Sequence, residues 1–184
     1  MAEQLTSYVE RDCIKVVPLW SSSEVFKPIE KINNPFVIEH NLQYKFVVMY
    51  SGNMGYTHSV ETIVEVANLL KEDDDIHFLL IGDGMRKKEL VKMVKEYDLN
   101  NCTFLDWLPV EKLPYSLASA DIGVVTLNEE TALTSVPSKT FNLMSVGAPL
   151  LCIAPKKSEI AKIINKYNNG VVFSADEHSG IAQY

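Results

Sequence analysis

Cysteine is scarce in this chain, and no stretch of it is both long and apolar. The three cysteines, Cys13, Cys102 and Cys152, are odd in number and widely spaced, which excludes the disulfide framework that staples small secreted domains. Cys102 and Cys152 lie in or beside apolar runs, where a free thiol behaves as a small hydrophobe and goes inside. This usage fits a reducing compartment. No segment approaches the roughly 20 apolar residues of a membrane span. Residues 1–12 carry charge and lack the apolar core of a signal peptide. The expectation is a cytoplasmic protein, with peripheral association at the inner face of a membrane, through a segment outside this chain, left open.

Positive charge is short as well. Lysine and arginine total 17 against 24 acidic residues, a formal net charge of −7. That balance argues against non-specific nucleic-acid binding, which rewards a basic face, but leaves room for one local basic pocket. The four histidines are scattered and unpaired with cysteines or acids, so no metal site is expected. Neither an internal repeat nor a low-complexity tract is visible. What remains is 184 residues at 47% hydrophobic content, the profile of a single globular domain with a sizeable core.

Apolar or β-branched runs recur at 14–17, 46–50, 77–81, 103–105, 122–126, 150–153 and 171–173. Several are apolar on successive residues, as strands covered on both faces are. Helical spacing fills the intervals: Val60, Ile63, Val64, Ala67; Leu90, Val91, Val94, Tyr97; Leu113, Leu117; Ile160, Ile163, Ile164, Tyr167. Strand and helix alternate from about Phe46 onward, which predicts an α/β, Rossmann-like, doubly wound parallel sheet. Ligands in such sheets bind at the carboxyl ends of strands, so the loops at 51–58, 82–86, 106–109 and 127–138 are the candidates. Residues 45–173 form the expected core. Residues 1–44 read as a lead-in, and residues 174–184 show no clear element and read as a truncated tail.

Two of those loops carry phosphate chemistry. In the segment VPSKTFNLMSVGAP at 136–149, Ser138 and Lys139 precede a helical apolar pattern and put a hydroxyl and an ammonium where an anion is favoured. The turn YSGNMG at 50–55 follows an apolar strand, and its glycines let backbone approach a ligand. Two such sites in one α/β domain suggest a nucleotide diphosphate held between loops.

The order YSGNMG, FLLIGDG, CTFLDWLP, ASADIGVV, VPSKTFNLMSVGAP, preceded by VVPLWSSSEVF, resembles the C-terminal, donor-binding half of a GT-B glycosyltransferase. More narrowly it resembles the family 4 retaining enzymes of bacterial surface-polysaccharide synthesis. The resemblance implies a domain that binds a nucleotide-diphosphate sugar, with UDP the favoured base. It also implies that residues 1–44 are an inter-domain connection, a separate N-terminal acceptor domain that this chain is too short to include, and no dedicated cofactor. A non-catalytic nucleotide-binding or regulatory module and a GT-B nucleotide-sugar epimerase remain the alternatives.

The resemblance also distributes roles. Gly52, Asn53 and Gly55 approach the diphosphate, or merely form a tight turn. His58 contacts the ligand, or is a solvated helix start. Gly84 lies near the nucleotide, while Lys87 and Lys88 after it are weaker candidates. Trp107 and Leu108 pack on the base, unless Trp107 covers a core edge. Ser138 and Lys139 hold the diphosphate, against an N-cap serine and a solvated lysine. Where many members carry a pair of glutamates, Thr134 and Asn142 stand here; they can hydrogen-bond sugar and ribose hydroxyls only as neutral groups. Glu129 and Glu130 lie nearby in sequence. No catalytic residue is named.

Overall fold

The computed structural model describes residues 5–17, 19–132 and 135–184. Six parallel strands, β1 (Phe46–Ser51), β2 (Ile76–Ile81), β3 (Cys102–Leu105), β4 (Ile122–Thr126), β5 (Leu150–Ile153) and β6 (Gly170–Phe173), form one sheet in the order β3-β2-β1-β4-β5-β6. The direction of winding reverses between β1 and β4, where Tyr50 pairs with Leu80 on one side and Val124 on the other.

Eight α-helices with defined bounds accompany the strands among the described residues, besides three short 3-10 turns: α1 (Pro35–Glu39), α2 (Glu61–Leu69), α3 (Lys87–Glu96), α4 (Leu113–Leu117), α5 (Glu129–Ala132), α6 (Lys139–Ser145), α7 (Glu159–Tyr167) and α8 (His178–Gln183). Period-two alternation divides their burial between two cores. Val47, Met49, Val125 and Cys152 face Phe36 and Val37 of α1, Leu117 of α4, Leu143 of α6 and Ile160 and Ile164 of α7. Val48, Tyr50, Val124 and Ile153 face Ile63 and Val64 of α2, Leu90 of α3 and Ile181 of α8. Covering both faces explains the continuous apolar strands. Local signals end the helices: Ser158 Oγ accepts from Ala161 N–H at the start of α7, and Asn168, in the left-handed region at φ 49°, stops it. On β4, a β-carbon at Gly123 would lie 2.7 Å from Leu143 side-chain atoms, so glycine there lets α6 sit close against the sheet.

Three expectations are corrected or sharpened. The run at 14–17 is not a strand: Val16 and Val17 are 70% and 74% exposed, and β propensity without a neighbouring ladder does not make one. The tail at 174–184 contains α8, which buries Ile181; its Ser-Gly composition and single core contact give no helical period to read. The lead-in is more than a connection. Lys31 bonds the Asp121 carboxylate and the Lys45 carbonyl, and α1 contributes Phe36 and Val37 to the core. Of the cysteines, Cys152 is buried, Cys102 partly so and Cys13 exposed; burial pushes the Cys102 and Cys152 thiols up to about 12.

Asn34 fastens α1. It is fully buried, its Oδ1 accepts from Phe36 N–H at 3.0 Å and its Nδ2 donates to the Tyr115 carbonyl at 2.8 Å. Asn34→Ala removes a cap and orphans a carbonyl, so urea unfolding will show a loss of about 1–3 kcal/mol. An unchanged midpoint would mean that the lead-in helix lies outside the cooperative unit.

Candidate functional site

Four loops leave the carboxyl ends of β1 to β4 and converge at the reversal between β1 and β4. Backbone bonds zip them together. Gly52 N–H donates to the Ile81 carbonyl at 2.9 Å, Met54 N–H to Asp83 at 2.8 Å, Arg86 N–H to Met54 at 3.0 Å and Gly82 N–H to Leu105 at 3.0 Å. Asn128 N–H, at 3.2 Å from the Thr57 carbonyl, ties in the loop after β4. Gly82 permits the closest approach. Its φ is +133°, and a β-carbon there would lie 2.1 Å from the Gly52 carbonyl oxygen.

Lys139 enters this cluster from across the sheet. Its helix α6 packs in one core through Leu143, whereas the Tyr50 ring belongs to the other. The side chain therefore crosses the carboxyl edge, and Nζ rests 3.9 Å from the centroid of the Tyr50 ring. A β-carbon on Gly52 would lie 2.3 Å from the same Nζ. This nitrogen is closed to solvent and has no hydrogen-bond partner among the described residues. Desolvation penalises its charged form and pulls its pKa down to about 7. Tyr50 is fixed in turn: its hydroxyl donates to the Asn53 carbonyl at 2.6 Å, and burial holds that hydroxyl well above its ordinary pKa.

His58 lies beside them. Its Nδ1 is 3.1 Å from the Thr126 carbonyl. A carbonyl only accepts, so that contact selects the Nδ1–H tautomer and leaves Nε2 to meet a ligand. Burial is the main cause that lowers the His58 pKa; the Thr126 carbonyl opposes it, and nearby Lys139 lowers it further.

The structure thus brings Gly52, His58 and Lys139 together, with Asn53 and Gly84 stacked behind. A β-carbon on Gly84 would lie 2.6 Å from Asn53 Oδ1. Gly55 is buried in the turn, and its carbonyl accepts from His58 N–H at 3.1 Å. Ser138 is exposed, with helical φ −58° and ψ −30°, and its side chain makes no cap bond. Leu108 packs on the core, while Trp107, at 58% exposure, does not cover a core edge. Asn142 Oδ1 accepts from Ser21 Oγ of the lead-in at 2.8 Å. Thr134 lies outside the described residues. Glu129 and Glu130 are exposed.

Of the basic residues after β2, Lys88 is exposed, and Arg86 and Lys87 are engaged elsewhere. Lys87 Nζ donates to the Gly82 carbonyl at 2.8 Å and the Asp106 carboxylate at 2.6 Å. Arg86 pairs with Glu61 at 2.6 Å and Glu89 at 3.1 Å. Both brace the loops. Sequence reasoning missed Tyr50 and Ser21. A polar-tipped aromatic ending an apolar strand just before a glycine is a usable signal for the first; nothing in a polar loop distinguishes Ser21. Chemically, the cluster offers an amine and an imidazole against glycine backbone, with no carboxylate bonded to either among the described residues. An oxyanion is the group that such an arrangement gains most from binding.

Comparison with known proteins gives this geometry a family. Residues 31–184 match the profile described as glycosyl transferases group 1. WbjE of Pseudomonas aeruginosa, named a probable glycosyltransferase, is 28% identical over 151 residues, 82% of this chain and 38% of its own length. WcaI of Escherichia coli, provisionally named a colanic acid biosynthesis glycosyl transferase, is 26% identical over 82% of this chain and 37% of its own length. This chain thus spans well under half the length of either. Among solved structures, Anabaena HepE in complex with UDP and glucose superposes with a TM-score of 0.79 at 17% identity, over 97% of this chain and 48% of that one. The C-terminal domain of the group 1 protein LpcC from Francisella tularensis superposes with a TM-score of 0.69 at 19% identity, over 89% of this chain and 84% of that one. The Rossmann-like sheet matches the domains of GT-B glycosyltransferases, and the chain belongs to the glycosyl transferases group 1 family.

Proposed function

We propose that this chain is the donor-binding domain of a glycosyltransferase that moves a sugar from a nucleoside diphosphate to a glycan or lipid-linked acceptor. One observation carries the reading. At the crevice between the loops after β1 and β4, the Lys139 amine is buried against Gly52 without a hydrogen-bond partner among the described residues. A phosphate oxygen is the partner that it lacks, and His58 Nε2 adds a second polar contact. Ser138, exposed beside Lys139, supplies a hydroxyl.

In the transfer step the diphosphate departs with the bonding electrons, and an amine carrying its proton stabilises that charge by electrostatic preorganisation. UDP is the proposed base, supported by the UDP in the HepE complexes. Asn142 is the proposed ribose contact, after exchange of its bond to Ser21. The acceptor wall belongs to a second, N-terminal domain of a longer protein, in keeping with the share of WbjE and WcaI that this chain spans. That protein works on the cytoplasmic side, with peripheral contact to the membrane. None of the described helices is long and apolar enough to cross a bilayer.

A second reading, a nucleotide-binding module without turnover, draws support from Asn142. It stands where a glutamate is expected, and its oxygen is already engaged by Ser21.

Calorimetric titration with UDP, GDP and ADP will show binding of at least one by the isolated chain, and the corresponding nucleotide-diphosphate sugar will be neither hydrolysed nor transferred by it; no heat from any of the three at millimolar concentration contradicts the donor reading. Lys139→Ala will weaken UDP binding ten- to a hundredfold, about 1.5–3 kcal/mol, and leave uridine binding nearly unchanged. Equal affinity of parent and variant for UDP would make Lys139 a packing residue only. Asn142→Ala will cost the ribonucleotide about 0.5–1.5 kcal/mol and its 2′,3′-dideoxy analogue almost nothing. Equal losses for both ligands would identify a structural asparagine.

A further inference from the structure

Lys139 is placed where an amine keeps no charge of its own accord. A buried ammonium is tolerated when a carboxylate or several acceptors replace its water, and the desolvation cost is otherwise several kcal/mol. Around Lys139 Nζ the described residues supply no hydrogen-bond partner. Strand β1 presents the face of Tyr50, 3.9 Å away. The loop after β1 presents Gly52 and His58. At the end of β4 the Thr126 carbonyl bonds His58, and the Thr126 hydroxyl is buried without a hydrogen-bond partner among the described residues. Helix α6 itself, KTFNLMS, carries no other titratable group. The nearby acids turn elsewhere: Asp83, Glu129 and Glu130 are exposed, Asp106 pairs with Lys87, and Glu61 and Glu89 pair with Arg86. Among the described residues no ion pair reaches Lys139. A tyrosine face offsets only part of the missing solvation.

We infer that donor capture is proton-linked: Lys139 is a neutral amine in the packing seen here and takes one proton from solvent as a nucleoside diphosphate arrives. The inference rests on the donor reading above and deepens it. Its steps balance simply. The Nζ lone pair accepts the proton, the base changes from amine to ammonium, and the charge gained is paired with a phosphate oxygen. The neutral form costs little to store beside Tyr50, while the charged form pairs with the diphosphate. The depressed pKa, about 7, agrees with this division. Its sign is fixed by linkage. A group protonated in the complex and neutral without it makes affinity fall as pH rises above the ligand-free pKa. Among the described residues His58 is the one other nearby titratable group able to contribute, and its pKa is lowered from 6.5, so at pH 8 it is neutral.

The test is titration calorimetry of the chain with UDP at pH 8, above the last ionisation of a phosphate group at about 6. HEPES and Tris buffers, which differ in ionisation enthalpy, convert the difference in heat into a proton count. Uptake of about 0.9 proton is expected, with affinity about fiftyfold weaker at pH 9 than at pH 7. Lys139→Arg, which stays charged throughout, will bind UDP without uptake and without that pH dependence; His58→Gln will keep both. Uptake below about 0.2 proton in the parent, or full uptake in Lys139→Arg, overturns the inference while leaving UDP binding, and so the donor reading, intact. Absence of heat with UDP, GDP and ADP at pH 6.5 overturns both. A readout free of ligand settles the stored form: in ¹³C-lysine spectra one Cε resonance will titrate with a midpoint near 7 and be missing from Lys139→Arg. Every lysine titrating above about 9.5 would overturn the inference.

Discussion

The site depends on one enforced conflict: an amine that prefers water or a carboxylate is held over an aromatic ring and against a glycine, with neither available. The fold sustains this because the rest of the architecture fixes each surface of that pocket independently. Tyr50 is held by strand pairing on both sides and by its own hydroxyl on the Asn53 carbonyl. Gly52 is held by its bond to Ile81. Helix α6 is pressed onto β4 because position 123 has no side chain. A lysine launched from the first residue of that helix has little choice but to cross the sheet edge. Sites at which local preference is overruled by the surrounding structure are where function is expected to be found.

The lead-in belongs to the same argument. Lys31 binds Asp121 at the amino end of β4, Asn34 ties α1 to α4, and Ser21 reaches Asn142 in α6. The segment before the first strand is thereby coupled to the helix that carries Lys139. Movement of that segment relative to the sheet would be felt first at Asn142, one turn along the helix from Lys139. Loops after β2 and β3 behave differently: Lys87 and Arg86 spend their charge on Asp106, Glu61 and Glu89. They fix the backbone around the crevice and leave the Lys139 amine without a partner among the described residues.

Much of the fold is legible in the sequence. Successive apolar residues in the strands, and i, i+3, i+4 spacing between them, are consequences of a sheet buried on both faces, so the order of elements could be read directly. The glycine turn at 52–55 and the helix start at 138–139 are legible because turn and helix-start chemistry is local; their part in holding a diphosphate is a proposal. Tyr50 is not legible, since what matters is its ring meeting a lysine from the far side of the sheet, a contact that no local pattern encodes. The run at 14–17 misled because β propensity says nothing about whether a neighbouring strand exists. Helix α8 was invisible for the opposite reason: a poor helix sequence is held by Ile181 packing against Val66, Phe78 and other residues of the core. Lys87, a weaker candidate in sequence, bonds the Gly82 carbonyl and Asp106, a carboxylate that comes near it only through strand pairing.

The central claim is that Lys139, lodged between Tyr50 and Gly52, is the group that meets the donor diphosphate. A crystal structure of the chain with UDP measures it most directly. The account predicts a phosphate oxygen about 2.7–2.9 Å from Lys139 Nζ, the distance of a charge-assisted hydrogen bond, with the diphosphate seated between the loops after β1 and β4. UDP bound elsewhere, with Lys139 Nζ still lying over the Tyr50 ring and no phosphate against it, would contradict the account.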